Sequence, residues 1–444
     1  MNSDRKAFFA EPGSLDMSEY VVLDYFFEST LEPSEAAAHL CQEQSTAQWK
    51  RPGVDEDMRP LHAARVIDLV VERTPERPCI PFQLESWGKL WACRVKIAYP
   101  IRNIGASIPN LLTAACGEGA YYSLGIHAIK LHDIIFPDAY LEQFEGPKFG
   151  VAGLRELTGV YDRPLFFGVI KPNIGLAPEP FRDIAYQSWL GGLDIAKDDE
   201  LIFDTAWSPF EKRTRLLGAA RRDAEQKTGK KCCYLANITD EVDRLIELHD
   251  IGVNNGANML MINAMCTGLS AARMVRKHTE VPLVAHFDCV APVSKSPYYG
   301  IHSRVITKLQ RLAGFDAIIF AGMGARMKNY RGAVLDDVRA CGDSLSVARA
   351  DHHERTPPCP LKPALPVPAG SQWAGSLQPL YEDIGSTDFA IVPGRAVFDH
   401  PGGPKAGAIS LQQGWDAIRA GVSLAEYARD HEELAASIRQ NAQS

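Results

Sequence analysis

Gly191-Gly192-Leu193-Asp194-Ile195-Ala196-Lys197-Asp198-Asp199-Glu200 is a largely apolar run that ends in four consecutive charges. Alternate positions along an extended chain share a face. A bend after this strand would therefore let the Lys197 tip, Asp199 and Glu200 converge on one hard cation. Oxygen ligands suit magnesium best. Lys197 fits such a trio only as a neutral amine or as a carbamate, because an ammonium repels a cation. A solvated loop of charges after a strand is the plainer alternative. Upstream, Phe166-Phe167-Gly168-Val169-Ile170-Lys171-Pro172-Asn173-Ile174-Gly175-Leu176 reads as a second apolar strand that also ends in a lysine and a turn.

From about residue 150 onward, short apolar strands alternate with longer helical segments, which implies parallel strands with helical crossovers. The predicted strands are 165–170, 193–197, 233–238, 258–264, 283–287, 316–321, 364–368 and 389–393, and eight is the number that closes a barrel. Nearly every one ends in a polar or small residue: Lys171, Lys197, Asn237, Asn263, His286, Gly322, Gly370 and Gly394. In a (β/α)8 barrel these ends gather on the face where active sites form. The earlier part of the chain is mixed, with strands at Tyr20 to Phe27, 65–72, 90–98 and 125–135 and a helix opening at Pro33. The expected fold is α/β, with an α+β domain over 1–145 preceding a (β/α)8 TIM barrel over 146–444 that carries C-terminal helices.

A chain of 444 residues with 46% hydrophobic and 23% charged residues has ample material for two such domains. The net charge of −8 offers no basic face for nucleic acid. No apolar run approaches the ~18 residues of a membrane span, and no signal-type segment follows Met1, so a cytoplasmic protein is expected. The ten cysteines show no CxxC pairing and read as free thiols. Cys359 with His352 and His353 lies in a proline-stiffened stretch of irregular spacing, read as a solvated connector.

A magnesium ion on Lys197 (modified), Asp199 and Glu200 would act as a Lewis acid on a bound carbonyl or hydroxyl oxygen, so proton abstraction next to a carbonyl is the natural reaction class. Lys171 is the first candidate for the base and His286 the second; a structural ammonium and a structural histidine are the alternatives. His302 is a candidate proton carrier or anion contact. Gly370 with Ser371, and Gly394 with Arg395, follow the seventh and eighth strands, where backbone N–H groups often hold phosphate. Plain glycine turns would look the same.

With these residues in view, the chain resembles the large subunit of ribulose-1,5-bisphosphate carboxylase/oxygenase, and within it the form IV RuBisCO-like proteins of phototrophic bacteria. Gly191 to Glu200 resembles the family's magnesium and carbamylated-lysine motif, and Lys171-Pro172-Asn173-Ile174-Gly175-Leu176 its catalytic-lysine loop. Glu43 with Trp49, and Asn110, resemble segments that family members place across a dimer interface into the partner's site. The resemblance implies a ferredoxin-like N-terminal domain, a homodimer with shared active sites, one Mg2+ per subunit with a CO2-derived carbamate on Lys197, and active-site roles for His286 and His302. Departures from the pattern argue against carbon fixation. Asn173 stands in place of a second lysine, Phe287 in place of a phosphate-gripping arginine, Ala369 in place of a serine, and the loop from Gly322 to Lys328 lacks the lysine that meets CO2. The expected activity is a Mg-dependent enolase, tautomerase or isomerase on a phosphorylated keto- or thio-sugar in sulfur metabolism, with a link to oxidative stress. A decarboxylase or C–C hydrolase acting on a β-keto acid sugar phosphate, and a non-catalytic regulatory protein, are the alternatives.

Overall fold

Leu165, Phe167, Ile195, Cys233, Leu235, Met259, Met261, Val284, Ala317, Ile319, Leu365, Val367 and Ala390 recur at alternate positions of eight short strands and form one buried cluster. That period of two is what a strand with one face turned to a shared interior requires. In a computed structural model of the chain, which describes residues 6–11, 13–47, 57–80, 84–324, 329–342 and 359–442, these strands are parallel and form one near-closed barrel with helices. They run Leu165–Val169, Ile195–Lys197, Cys233–Asn237, Met259–Asn263, Leu283–His286, Ala317–Ala321, Leu365–Ala369 and Ala390–Ile391. The first seven pair in sequence order and the eighth pairs with the first, with no ladder between the seventh and the eighth. The expected α/β barrel is therefore present.

The seam between the seventh and eighth strands is closed differently. Leu365 donates its N–H to the Asp316 carbonyl and the Ala369 carbonyl accepts from Gly322, so odd positions of the seventh strand face the sixth. Positions 366 and 368, which face the eighth strand, are both proline and carry no N–H. The buried Gln372 side chain bridges the gap, donating from Nε2 to the Pro368 carbonyl (2.6 Å) and accepting from the Val392 N–H at Oε1 (2.6 Å).

The described residues divide into two compact units. The barrel unit takes in 146–288, 313–342 and those from Lys362 onward; the other takes in those up to Glu145 with 289–312 and 359–361. The latter is built on a five-stranded sheet in the order Gly300–Ile301, Ile126–Ile135, Tyr20–Ser29, Trp91–Pro100, Arg65–Arg73. Its four long strands are antiparallel and Gly300–Ile301 is parallel to its neighbour. The strand at Gly300–Ile301 was not anticipated, because two residues carry no readable periodicity. The helix expected from Pro33 runs Pro33–Gln44 with the proline in its first turn.

Candidate active site

The alternation that fills the barrel also furnishes its C-terminal mouth. Continuing the inward parity of each strand leads from Val169 to Lys171, from Ile195 to Lys197 and Asp199, from Leu235 to Asn237, from Met261 to Asn263, and from Val284 to His286. Asp198 has the opposite parity and faces the surrounding helices.

Two ion pairs organise the mouth. Lys171 Nζ donates to Asp199 Oδ2 at 2.7 Å, and Lys197 Nζ lies 3.3 Å from Glu200 Oε2 while donating to the Asp198 carbonyl at 2.8 Å. His286 Nε2 approaches the same Glu200 oxygen at 3.3 Å, and its Nδ1 faces Asp288 Oδ2 at 3.1 Å. Lys197 and Asp199 are fully buried and His286 nearly so. Burial alone pushes the Glu200 carboxyl up, but Lys197, His286 and Lys171 outweigh it and hold it at about 2. The structure thus brings Lys171, Lys197, Asp199, Glu200 and His286 together. Asn237 supports them from behind, its Nδ2 donating to the Ile202 carbonyl at 3.1 Å and to the Glu200 carbonyl at 3.3 Å.

Asp198 has a different task from Asp199. It is fully buried, with Oδ2 accepting from Arg213 Nε (3.3 Å) and the Asn237 N–H (3.1 Å), and Oδ1 from the Tyr234 hydroxyl (3.0 Å). Burial pushes its carboxyl above the ordinary range, against Arg213 and these hydrogen bonds. Arg213 and Tyr234 were not singled out from the sequence. The one available signal was parity, which puts Tyr234 on the same outward face as Asp198.

The donor chemistry fits a hard divalent ion under one condition. The two lysine–carboxylate pairs cancel each other's charge, so an added Mg2+ would leave two charges that these four groups do not compensate. Converting Lys197 from ammonium to carbamate removes two units of positive charge, which is what the ion brings. Lys197, Asp199 and Glu200 are therefore the residues that would hold the metal.

One of the two glycine ends lies beside this cluster. A Cβ on Gly394 would sit 3.2 Å from Lys171 Cε, so the residue before the short helix Arg395–Phe398 packs directly on the lysine. Gly370 has φ +118° and its carbonyl lies against Gly324, where a Cβ would have no room. Ser371 is exposed with φ +45°, and Arg395 is exposed. Residues 325–328 of the sixth-strand loop, and His352 and His353, lie outside the described residues. A cavity of about 460 Å³ opens between the loops after the second, third and fourth strands, with Asp204, Asp240 and Glu241 in its wall. That acidic wall is unsuited to a phosphate. Phe287 lies tilted beside His286, ring centroids 4.9 Å apart, and adds apolar surface there.

His302 and the three partner-directed candidates do not belong to the barrel unit. His302 lies against His132 with ring centroids 5.8 Å apart, and burial followed by Arg304 and Lys130 lowers it to about 4. Glu43 and Asn110 line one cavity of about 400 Å³, together with Gln44, Tyr99 and Asn103, and Trp49 lies outside the described residues.

The profile of the ribulose bisphosphate carboxylase large chain, catalytic domain, matches residues 150–440. A ribulose bisphosphate carboxylase-like protein 2 of Rhodopseudomonas palustris is 54% identical over 98% of this chain and 98% of its own length. The ribulose bisphosphate carboxylase-like protein of Chlorobaculum tepidum is likewise 54% identical, over 99% and 98%. More distantly, a 3-oxo-isoapionate-4-phosphate decarboxylase of Rhizobium rhizogenes is 31% identical over 94% and 97%. Among solved structures, octameric ribulose-1,5-bisphosphate carboxylase/oxygenase from Pyrococcus horikoshii superposes with a TM-score of 0.85 at 30% identity, covering 98% of this chain and 95% of that one.

Proposed function

This chain belongs to the ribulose bisphosphate carboxylase large-chain family, as one of its RuBisCO-like proteins, and we propose that it is a Mg-dependent enolising enzyme acting on a phosphorylated keto- or thio-sugar. The observation that carries this reading is the pairing of Lys171 with Asp199 at 2.7 Å beside the Lys197–Glu200–His286 cluster. Bound magnesium would supply Lewis-acid polarisation of the substrate carbonyl. Lys197, Asp199 and Glu200 would hold that ion, and Lys171, once its ammonium had given a proton to solvent, would take the proton next to the carbonyl. His286, held between Glu200 and Asp288, is placed to return a proton at the neighbouring atom. The glycine backbone at 370 and 394 with Arg395 is assigned to the one phosphate, and Phe287 to a less polar far end. The loop from Gly322 to Lys328, without the lysine that meets CO2, leaves a carboxylated intermediate without its main counter-charge, and Asn173, Phe287 and Ala369 are further departures, so carbon fixation is not part of the proposal. A homodimer with shared sites, with Glu43 and Asn110 contributed by the partner, and a place in sulfur metabolism linked to oxidative stress complete the reading.

The Rhizobium decarboxylase supports a second reading. Loss of CO2 from a β-keto acid sugar phosphate passes through the same enediolate and would use the same cluster. The test is an NMR assay in D2O across a panel of phosphorylated keto-sugars, methylthio-sugars and β-keto acid sugar phosphates, with Mg2+ and bicarbonate. Exchange of a substrate C–H for deuterium that disappears in Lys171→Ala supports enolisation. CO2 release without exchange of the intact substrate moves the assignment to decarboxylation. Inertness across the panel, with Mg2+ bound, would leave the fold with a regulatory role.

A further inference from the structure

In the unit that does not form the barrel, three metal-ligating side chains of different kinds meet at the five-stranded sheet. Glu28, on Tyr20–Ser29, offers a carboxylate that is completely buried. Its Oε1 accepts from the Cys79 N–H at 2.8 Å and faces His127 Nε2 at 2.7 Å. The Cys79 sulfur, a His127 ring nitrogen and a Glu28 oxygen all lie within 4.8 Å of one another.

The backbone is shaped to bring them together. Glu28 pairs with Ala128 and Ser29 with Ile126, so His127 is the extra residue of a β-bulge in Ile126–Ile135. Without the bulge, His127 would have the opposite parity to Ala128 and point to the other face of the sheet; a bulge re-aims such a side chain. Cys79 comes from the connection between Arg65–Arg73 and Trp91–Pro100, and its half-buried position leaves a path for a small ion.

An independent observation points to a ligand. Glu28 Oε2 is buried, and no described residue hydrogen-bonds to it; the buried Nδ1 of His127 is in the same condition. A buried carboxyl oxygen without a hydrogen-bond partner is costly, and a bound cation is one of the few partners that removes the cost.

We propose that Glu28, Cys79 and His127 form a site for a zinc-class divalent ion, separate from the magnesium chemistry of the barrel. One sulfur, one nitrogen and one oxygen are a borderline-soft donor set that suits zinc rather than magnesium. Three protein ligands leave a fourth position for water on the Cys79 side. The ion ties the central strand, the bulged strand and the 73–91 connection together.

Cobalt(II) is the probe. The full-length protein, stripped with a chelator and resupplied with excess Mg2+, is titrated with Co2+ while thiolate-to-cobalt charge-transfer absorption is followed. The barrel cluster contains no thiol, and neither does the surface group His249, Asp250 and His278, so neither produces that band. The band should saturate at one equivalent in the wild type and in Cys266→Ser/Cys289→Ser, which lacks the two exposed cysteines. It should vanish in Cys79→Ser, and His127→Gln should weaken cobalt binding at least ~10-fold. Zn2+ should also slow alkylation of Cys79 in the wild type, a readout that needs no variant to fold. A wild type without the band, or a band that persists in Cys79→Ser, overturns the assignment.

Discussion

Asp198 and Asp199 are adjacent carboxylates, both completely buried, and strand parity gives them opposite tasks. Asp199 faces the mouth and pairs with Lys171, whereas Asp198 faces outward and neutralises Arg213. Breaking a buried pair from one side leaves the other charge uncompensated, typically at ~3–5 kcal/mol. Asp198→Asn is therefore expected to lose about 3 kcal/mol or more of unfolding free energy in urea titrations. Asp199→Asn should instead abolish Mg2+ binding measured by calorimetry, at a smaller cost in stability because Lys171 reaches solvent. Equal stability losses in the two variants would contradict the division. The sequence placed Lys197, Asp199, Glu200, Lys171 and His286 at one site because the strand period is visible in the residues themselves. Arg213 was not legible, since it comes from a helix whose packing on the second and third strands is decided by tertiary contacts.

At the scale of the elements, all eight barrel strands could be read from apolar runs, and their ends shifted by only a few residues. The weakest was the eighth, expected at 389–393 and found as Ala390–Ile391, and the reason lies across the seam. Pro366 and Pro368 offer it no donors, so a glutamine side chain does the work of a ladder bond. Gln372→Ala strands the Val392 N–H and the Pro368 carbonyl, and ~1–3 kcal/mol for each unsatisfied group gives an expected loss of about 2 kcal/mol or more. Chemical denaturation measures it; a loss below ~0.5 kcal/mol, the scale of an ordinary surface change, would mean the seam is held otherwise. The bulge at His127 escaped the sequence reading for a related reason. One extra residue in a strand leaves the apolar pattern almost intact while reversing where one side chain points.

For the whole molecule, pH is the informative variable. Burial, then the positive charge of Arg94 and other neighbours, lowers His132 to about 3; burial, then Arg304 and Lys130, lowers His302 to about 4, from an ordinary value of 6.5. Below pH 6.5 the unfolded chain takes up these protons while the folded chain does not. Stability is therefore undiminished by this pair above pH 6.5 and falls as the pH drops toward 4, by at most ~1.4 kcal/mol per pH unit for each histidine. Urea unfolding between pH 7.5 and 5 should show this slope, and His132→Gln should flatten it; an unchanged slope would assign the effect to other groups.

The charge balance of the barrel mouth reaches furthest, because it ties the ion to the modification of one lysine. Two lysines and two carboxylates are neutral together, and Mg2+ restores neutrality only if Lys197 carries a carbamate. The direct measurement is 13C NMR of the protein with 13C-labelled bicarbonate, with and without Mg2+, alongside Mg2+ affinity at controlled CO2. A carbamate signal that grows with Mg2+, is absent in Lys197→Ala, and accompanies at least ~10-fold tighter Mg2+ binding when CO2 is present is the predicted result. Full-affinity Mg2+ binding in CO2-free buffer with no carbamate signal would contradict it.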